Sequence, residues 1–100
     1  MLSGMATLSS EQVRAKLGGL SGWELAEHAI RRTFTFASFA EAVSYVVRLG
    51  FAAEAADHHP DIDIRYKRVT LTYSTHSEGG LTEKDFAGAA EATKLAGSAS

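Results

Sequence analysis

The chain is expected to fold as an α+β two-layer sandwich, a four-stranded antiparallel sheet covered by three helices on one face. Three observations carry that expectation. Ser9, Ser38 and Thr82 each stand three residues ahead of an acid or amide and open an apolar-periodic stretch, the spacing of a helix capping box. Between these motifs lie runs in which apolar and polar residues alternate, the period of a half-buried strand. The runs come in pairs with short breaks between them, so they pair as hairpins. The order is α-β-β-α-β-β-α, a loose αββ-αββ duplication without shared identity between the halves.

Taken in order, Leu8-Ser9-Ser10-Glu11-Gln12-Val13 opens the first helix, with Ser9 as cap, Gln12 closing the box and Leu8 packing on Val13. Val13 and Leu17 recur four apart and Gly18-Gly19 stops the segment, so it runs about Ser10 to Leu17. Residues 1–7 ahead of it are expected to be a flexible leader. From Trp23 the period changes: Trp23, Leu25 and Glu27 share one face, and after a turn near Glu27 to Ala29, Ile30, Arg32, Phe34 and Phe36 share another. Ser38 caps the longest helix, about Phe39 to Ala56, whose stripe is Phe39, Val43, Val46, Val47 and Gly50. Pro60 disfavours helix at His59, so that helix ends within Asp57-His58-His59. Ile62, Ile64 and Tyr66, then Val69, Leu71 and Tyr73, form a hairpin about a turn at Lys67-Arg68. Gly79-Gly80 breaks the chain, and Thr82 with Asp85, stapled by Leu81 onto Phe86, opens a last helix reaching about Leu95. Residues 97–100 are expected to be a flexible tail, which leaves one domain over residues 8–96.

Composition narrows the function. One hundred residues, 45% hydrophobic and 22% charged, suit a single core and not a disordered chain. A net charge of -2 offers no basic field for a polyanion, which argues against direct nucleic-acid binding. The absence of cysteine removes disulfides, thiolate catalysis, cysteine-type zinc sites and iron–sulfur ligation. No stretch approaches the ~18 apolar residues of a membrane span, and the expected setting is the cytoplasm. Chemistry falls to His, Asp, Glu, Lys, Tyr and hydroxyl groups.

Three of the four histidines are suggestively placed: His58-His59 at a helix terminus and His76 just beyond a strand. The strand leaving Pro60 and the strand ending near Thr75 run antiparallel, so both groups arrive at one rim of the sheet. Glu54 lies four before His58 and continues the stripe of Val43, Val47 and Gly50, which sets a carboxylate where apolar contacts are expected. Plainer readings stand beside these. A histidine pair after a helix can cap its last carbonyls. Asp85 is accounted for as the capping partner of Thr82 at the positive end of a helix. Trp23, Phe34, Phe36 and Tyr66 are assigned to the core, and His28 to the surface. Glu54, His58 and His76 make an acid-plus-two-histidine set, but adjacent histidines rarely share an ion and no His-Glu-x-x-His motif exists, so no metal ligand is assigned. Neither double glycine has the further residues of a phosphate loop.

The ordered constellation Glu54-x3-His58-His59-Pro60-x5-Tyr66-x9-His76-x8-Asp85 resembles the signature of the pterin-4a-carbinolamine dehydratase family. Gly22-Trp23, Phe34-Thr35-Phe36 and Gly79-Gly80-Leu81-Thr82 add context, and the resemblance covers about Leu8 to Ala96. It implies a lyase that eliminates water from 4a-hydroxytetrahydrobiopterin to give quinonoid dihydropterin, recycling tetrahydrobiopterin without metal or organic cofactor. Such an elimination needs an acid for the departing hydroxyl and a base for the N5 proton, and imidazole serves either role near neutral pH. The resemblance makes His58, His59 and His76 the catalytic trio, with His58 and His76 as the acid/base pair and His59 positioning. Glu54 becomes a substrate-binding carboxylate that orients His58 or accepts from the amino-pyrimidine edge. It further implies a homodimer or homotetramer functionally linked to an aromatic amino-acid hydroxylase. Alternatives are a pterin-binding or protein-dimerising module resembling a transcription cofactor, and other pterin or molybdopterin metabolism. Asp61-Ile62-Asp63-Ile64-Arg65 lacks the aromatic that many relatives carry soon after the proline, which bears on side-chain selectivity.

Overall fold

The computed structural model describes residues 7–100, so all of the expected leader except Thr7 lies outside the described residues. The elements are α1 (Ser10–Gly18), β1 (Glu24–Ala26), β2 (Ala29–Thr35), α2 (Phe39–Ala56), β3 (Asp61–Arg65), β4 (Arg68–Tyr73), a 3-10 turn (His76–Glu78) and α3 (Glu83–Ala96). Each helix starts where its capping residue directs. Ser9 and Gln12 satisfy each other's backbone N–H groups, the Ser38 hydroxyl accepts from the Glu41 N–H, and Asp85 reaches back to the Thr82 N–H. The two hairpins join through antiparallel β2 and β4, giving the strand order β1-β2-β4-β3.

Strand alternation sets the two faces. Ile30 and Phe34 from β2, with Val69, Leu71 and Tyr73 from β4, turn toward the helices and are buried. Thr33 and Thr70 turn the other way, and their hydroxyls bond at 2.8 Å on the open face. Trp23 packs edge-on to Phe34 and its indole N–H donates to Thr93 Oγ1 at 2.8 Å. Burying each such aromatic contributes about 1.5–3 kcal/mol. These aromatics are in the core as expected; Tyr66 is not.

Tyr66 is exposed and occupies, with Lys67, the two-residue turn between Arg65 and Arg68, where its φ is +56°. The turn therefore lies one residue earlier than expected, because the Ile64↔Val69 and Ile62↔Leu71 pairs set the register. A second correction concerns α2. Its inward face is Ala42, Tyr45, Leu49 and Ala53, whereas Phe39, Val43, Val47 and Gly50, expected to face the core, are exposed together with Phe51. Small residues Ala89 and Ala92 on α3 admit Tyr45, whose hydroxyl donates to the Ala92 carbonyl at 2.8 Å, and this contact decides the helix rotation. The last four residues, expected to be flexible, lie against the sheet: Ala99 packs on the core and the Thr35 N–H donates to the Ser100 carbonyl.

Candidate active site

The end of α2 aims the adjacent histidines apart. Asp57 takes a left-handed conformation (φ +54°), its N–H donates to the Glu54 carbonyl, and the His58 N–H donates to the Ala53 carbonyl at 3.1 Å. That pattern is a Schellman ending, with Asp in the place more often held by Gly or Asn. The chain reverses there, so His58 turns inward and His59 outward.

His58 meets the first turn of α3. Its Nε2 lies 2.6 Å from Asp85 Oδ1, and its ring stacks on Tyr73 with centroids 6.1 Å apart. Asp85 is fully buried, and its Oδ2 also accepts from the Thr82 N–H at 2.9 Å and the Thr75 hydroxyl at 2.8 Å. A carboxylate only accepts, so Nε2 of His58 carries a proton and Nδ1 is the position left for proton exchange. The same logic orders the hydroxyls. Thr75 donates to Asp85, so Thr82 donates to Thr75 while accepting from the Lys84 N–H. Asp85 sits within the first turn of α3, where the helix dipole favours its charge. Burial, reinforced by the charges of Asp85 and Glu91, pushes the neighbouring Tyr73 phenol from 10.0 up to about 12.

His59 also pairs with a carboxylate, Nε2 to Glu54 Oε1 at 2.8 Å, but in the open. Glu54 therefore holds His59, and the expected part of orienting His58 belongs to Asp85. His76 lies at the start of the 3-10 turn, next in the chain to Thr75.

Two hollows flank this network. The larger, about 660 Å³, opens at the end of the helix-free face of the sheet over Thr72 and Ser74, bounded by Thr75, His76 and Asp61. The smaller, about 280 Å³, lies between α2 and α3 and is lined by His58, Tyr73 and alanines. Thr75 and Asp85 stand between them, so His58 lines one hollow and His76, the residue after Thr75, lines the other. His59 borders neither hollow. Among the described residues no group of three His, Asp or Glu side chains is arranged to hold a metal.

Sequence reasoning missed the work of Asp85 and Thr75. Asp85 was in the spaced constellation, but its capping role alone explained it; the structure shows one carboxylate doing both. Thr75 carried a fainter signal, a hydroxyl at the core-facing parity of Val69, Leu71 and Tyr73.

Known proteins resemble this chain over most of its length. The family profile described as pterin 4 alpha carbinolamine dehydratase matches residues 6–95. A relative from Roseiflexus sp. (strain RS-1), bearing the name of a pterin-4-alpha-carbinolamine dehydratase, is 53% identical over 82% of this chain and 89% of its own. A crystal structure of a transcriptional coactivator/pterin dehydratase from Brucella melitensis superposes with a TM-score of 0.88 at 35% identity, covering 91% of this chain and 99% of that one. A pterin dehydratase-like protein identified as a RuBisCO assembly factor in the alpha-carboxysome aligns with a TM-score of 0.63 at 26% identity, covering 76% and 88%. With residues 6–95 matched by the profile and a relative 53% identical over 82% of the chain, this protein belongs to the pterin 4 alpha carbinolamine dehydratase family.

Proposed function

We propose that this chain dehydrates 4a-hydroxytetrahydrobiopterin to quinonoid dihydropterin. The observation that carries the reading is the buried carboxylate–imidazole pair of Asp85 and His58, set behind a hollow that His76 lines. In the elimination the C4a–O bond breaks, the hydroxyl leaves as water with a proton from the acid, the N5 proton passes to the base, and a C4a–N5 double bond forms. His76 exchanges a proton with the ring from the wall of the larger hollow, whereas His58, which lines the smaller one, is joined to that wall through Asp85 and Thr75. Each such acid or base contributes ~10²- to 10⁴-fold in rate. His59 and Glu54 line neither hollow; two residues before Asp61, which lines the larger one, His59 acts from outside its rim, and the Glu54 carboxylate that holds it is the acceptor offered to the amino-pyrimidine edge. The proposal keeps the chain in the cytoplasm and makes an aromatic amino-acid hydroxylase the supplier of its substrate.

The reading includes a homo-oligomer, supported by the outer face of α2. Phe39, Val43, Val47 and Phe51 lie four apart along one exposed stripe, and Phe51 is 75% exposed. A soluble helix apolar on both sides is ordinarily covered on both. The stripe reads Phe-Val-Val-Phe in either direction, so a two-fold axis midway between Val43 and Val47 matches large residues with large and small with small. Val47→Glu should lower the mass measured by light scattering. An unchanged mass removes this face from the interface. The same stripe is the feature that supports the alternative of a protein-docking module.

Absorbance of freshly generated 4a-hydroxytetrahydropterin, followed with and without the protein across pH, tests the enzymatic reading. Acceleration is expected. A decay no faster than the uncatalysed one overturns the dehydratase reading.

A further inference from the structure

Resting on the dehydratase reading, the structure points to a separate subsite for the carbon side chain of the substrate. Beside the hollow that holds His76, a second hollow of about 370 Å³ lies beneath α1, and the two share Glu27, His28, Gly79 and Gly80 as lining. His28 is the histidine that matches nothing in the sequence constellation.

The shared border is built from two tight pieces of backbone. On one side the β1–β2 turn has only two residues, since Ala26 pairs with Ala29, and Glu27 holds it with φ +60°. His28 thus stands on the rim. Opposite, Gly79 has φ +74°, and a Cβ at Gly80 would come within 2.7 Å of Thr7 Cγ2. That side offers bare backbone, so among the described residues the border carries side chains only from Glu27 and His28.

The linings differ in chemistry. The first hollow presents hydroxyls, carboxylates, imidazoles and the Arg31 guanidinium, groups that recognise the edges of a flat polar ring. The second presents Val13, Leu17, Leu25 and Leu81, with the Arg14 guanidinium among them. Leucines and one cation suit a short aliphatic chain bearing hydroxyl groups, and do not suit a second ring system. We infer that the ring lies in the first hollow while its hydroxylated side chain passes His28 into the second.

The test compares two substrates on the full chain: the 4a-hydroxy form of a tetrahydropterin carrying a dihydroxypropyl side chain, and that of one carrying only a methyl group. Leu25 is 54% exposed, so Leu25→Trp fills the second hollow without disturbing buried packing. It should lower the ratio of kcat/KM for the long-chain over the methyl substrate by about tenfold, chiefly through KM. His28→Ala should lower the same ratio several-fold. Thermal melts report folding, and should Leu25→Trp not fold, His28→Ala decides in its place. A ratio unchanged in the deciding variant overturns the subsite and leaves the dehydratase reading standing. If the wild-type chain accelerates neither substrate, the dehydratase reading falls and the subsite with it.

Discussion

His58 and His59 are neighbours in the chain, and each bonds a carboxylate through Nε2, at 2.6 and 2.8 Å. Their settings are opposite. The His58 and Asp85 side chains are 13% and 0% exposed, those of His59 and Glu54 56% and 80%. An exposed pair is screened by water and contributes about 0–1 kcal/mol. A buried one has its partners committed, so removing one leaves a polar group with neither water nor protein to bond. Two contacts alike in length therefore differ in consequence, and the left-handed turn at Asp57 is what separates them.

Asp85 gives the largest test of that contrast. Asp85→Ala strips the helix cap, the Thr75 acceptor and the His58 partner at once. It should destabilise the fold by about 3–5 kcal/mol in urea titration. A loss below about 1 kcal/mol would falsify the view that this carboxylate is shared between fold and site.

Next in size is the histidine comparison. His58→Ala should lower kcat by at least ~10²-fold, whereas His59→Ala should act mainly on KM. Equal losses of kcat in the two variants abolish the distinction drawn from burial.

Alkaline pH offers a smaller probe of the buried side. Because the Tyr73 phenol is raised from 10.0 to about 12, the folded state favours its neutral form. Its contribution is complete below pH 10 and declines as pH climbs toward about 12. Tyr73→Phe should shrink the loss of stability between about pH 8 and pH 11 without abolishing it, since burial also raises the Tyr45 phenol. A wild-type and variant with identical alkaline profiles speak against that assignment. The smallest effect is reserved for the exposed pair: Glu54→Gln should change stability by less than about 1 kcal/mol, with any cost confined to KM.

Elements written in near neighbours were legible beforehand. Ser9 with Gln12, Ser38 with Glu41 and Thr82 with Asp85 announce helix starts because the capping bond spans three residues. Alternation around Ile30–Phe36 and Val69–Tyr73 announces strands in the same way. The site was partly legible too, since the spaced histidines and acids marked its members. What they bond to was not. Of the two parts expected of Glu54, orienting His58 falls to Asp85 while Glu54 bonds His59, and Tyr66 and the stripe of α2 lie on the other side of the fold from the one expected.

The sequence by itself determined the element order, the caps, the apolar inventory and the set of groups available for proton transfer, because each depends on residues a turn or a pleat apart. Only the tertiary structure decided which of two apolar stripes on α2 faces the sheet and which carboxylate holds His58. Periodicity does not say which of two apolar stripes faces inward, and the contacts that choose, Tyr45 with Ala92 and His58 with Asp85, join residues 47 and 27 positions apart.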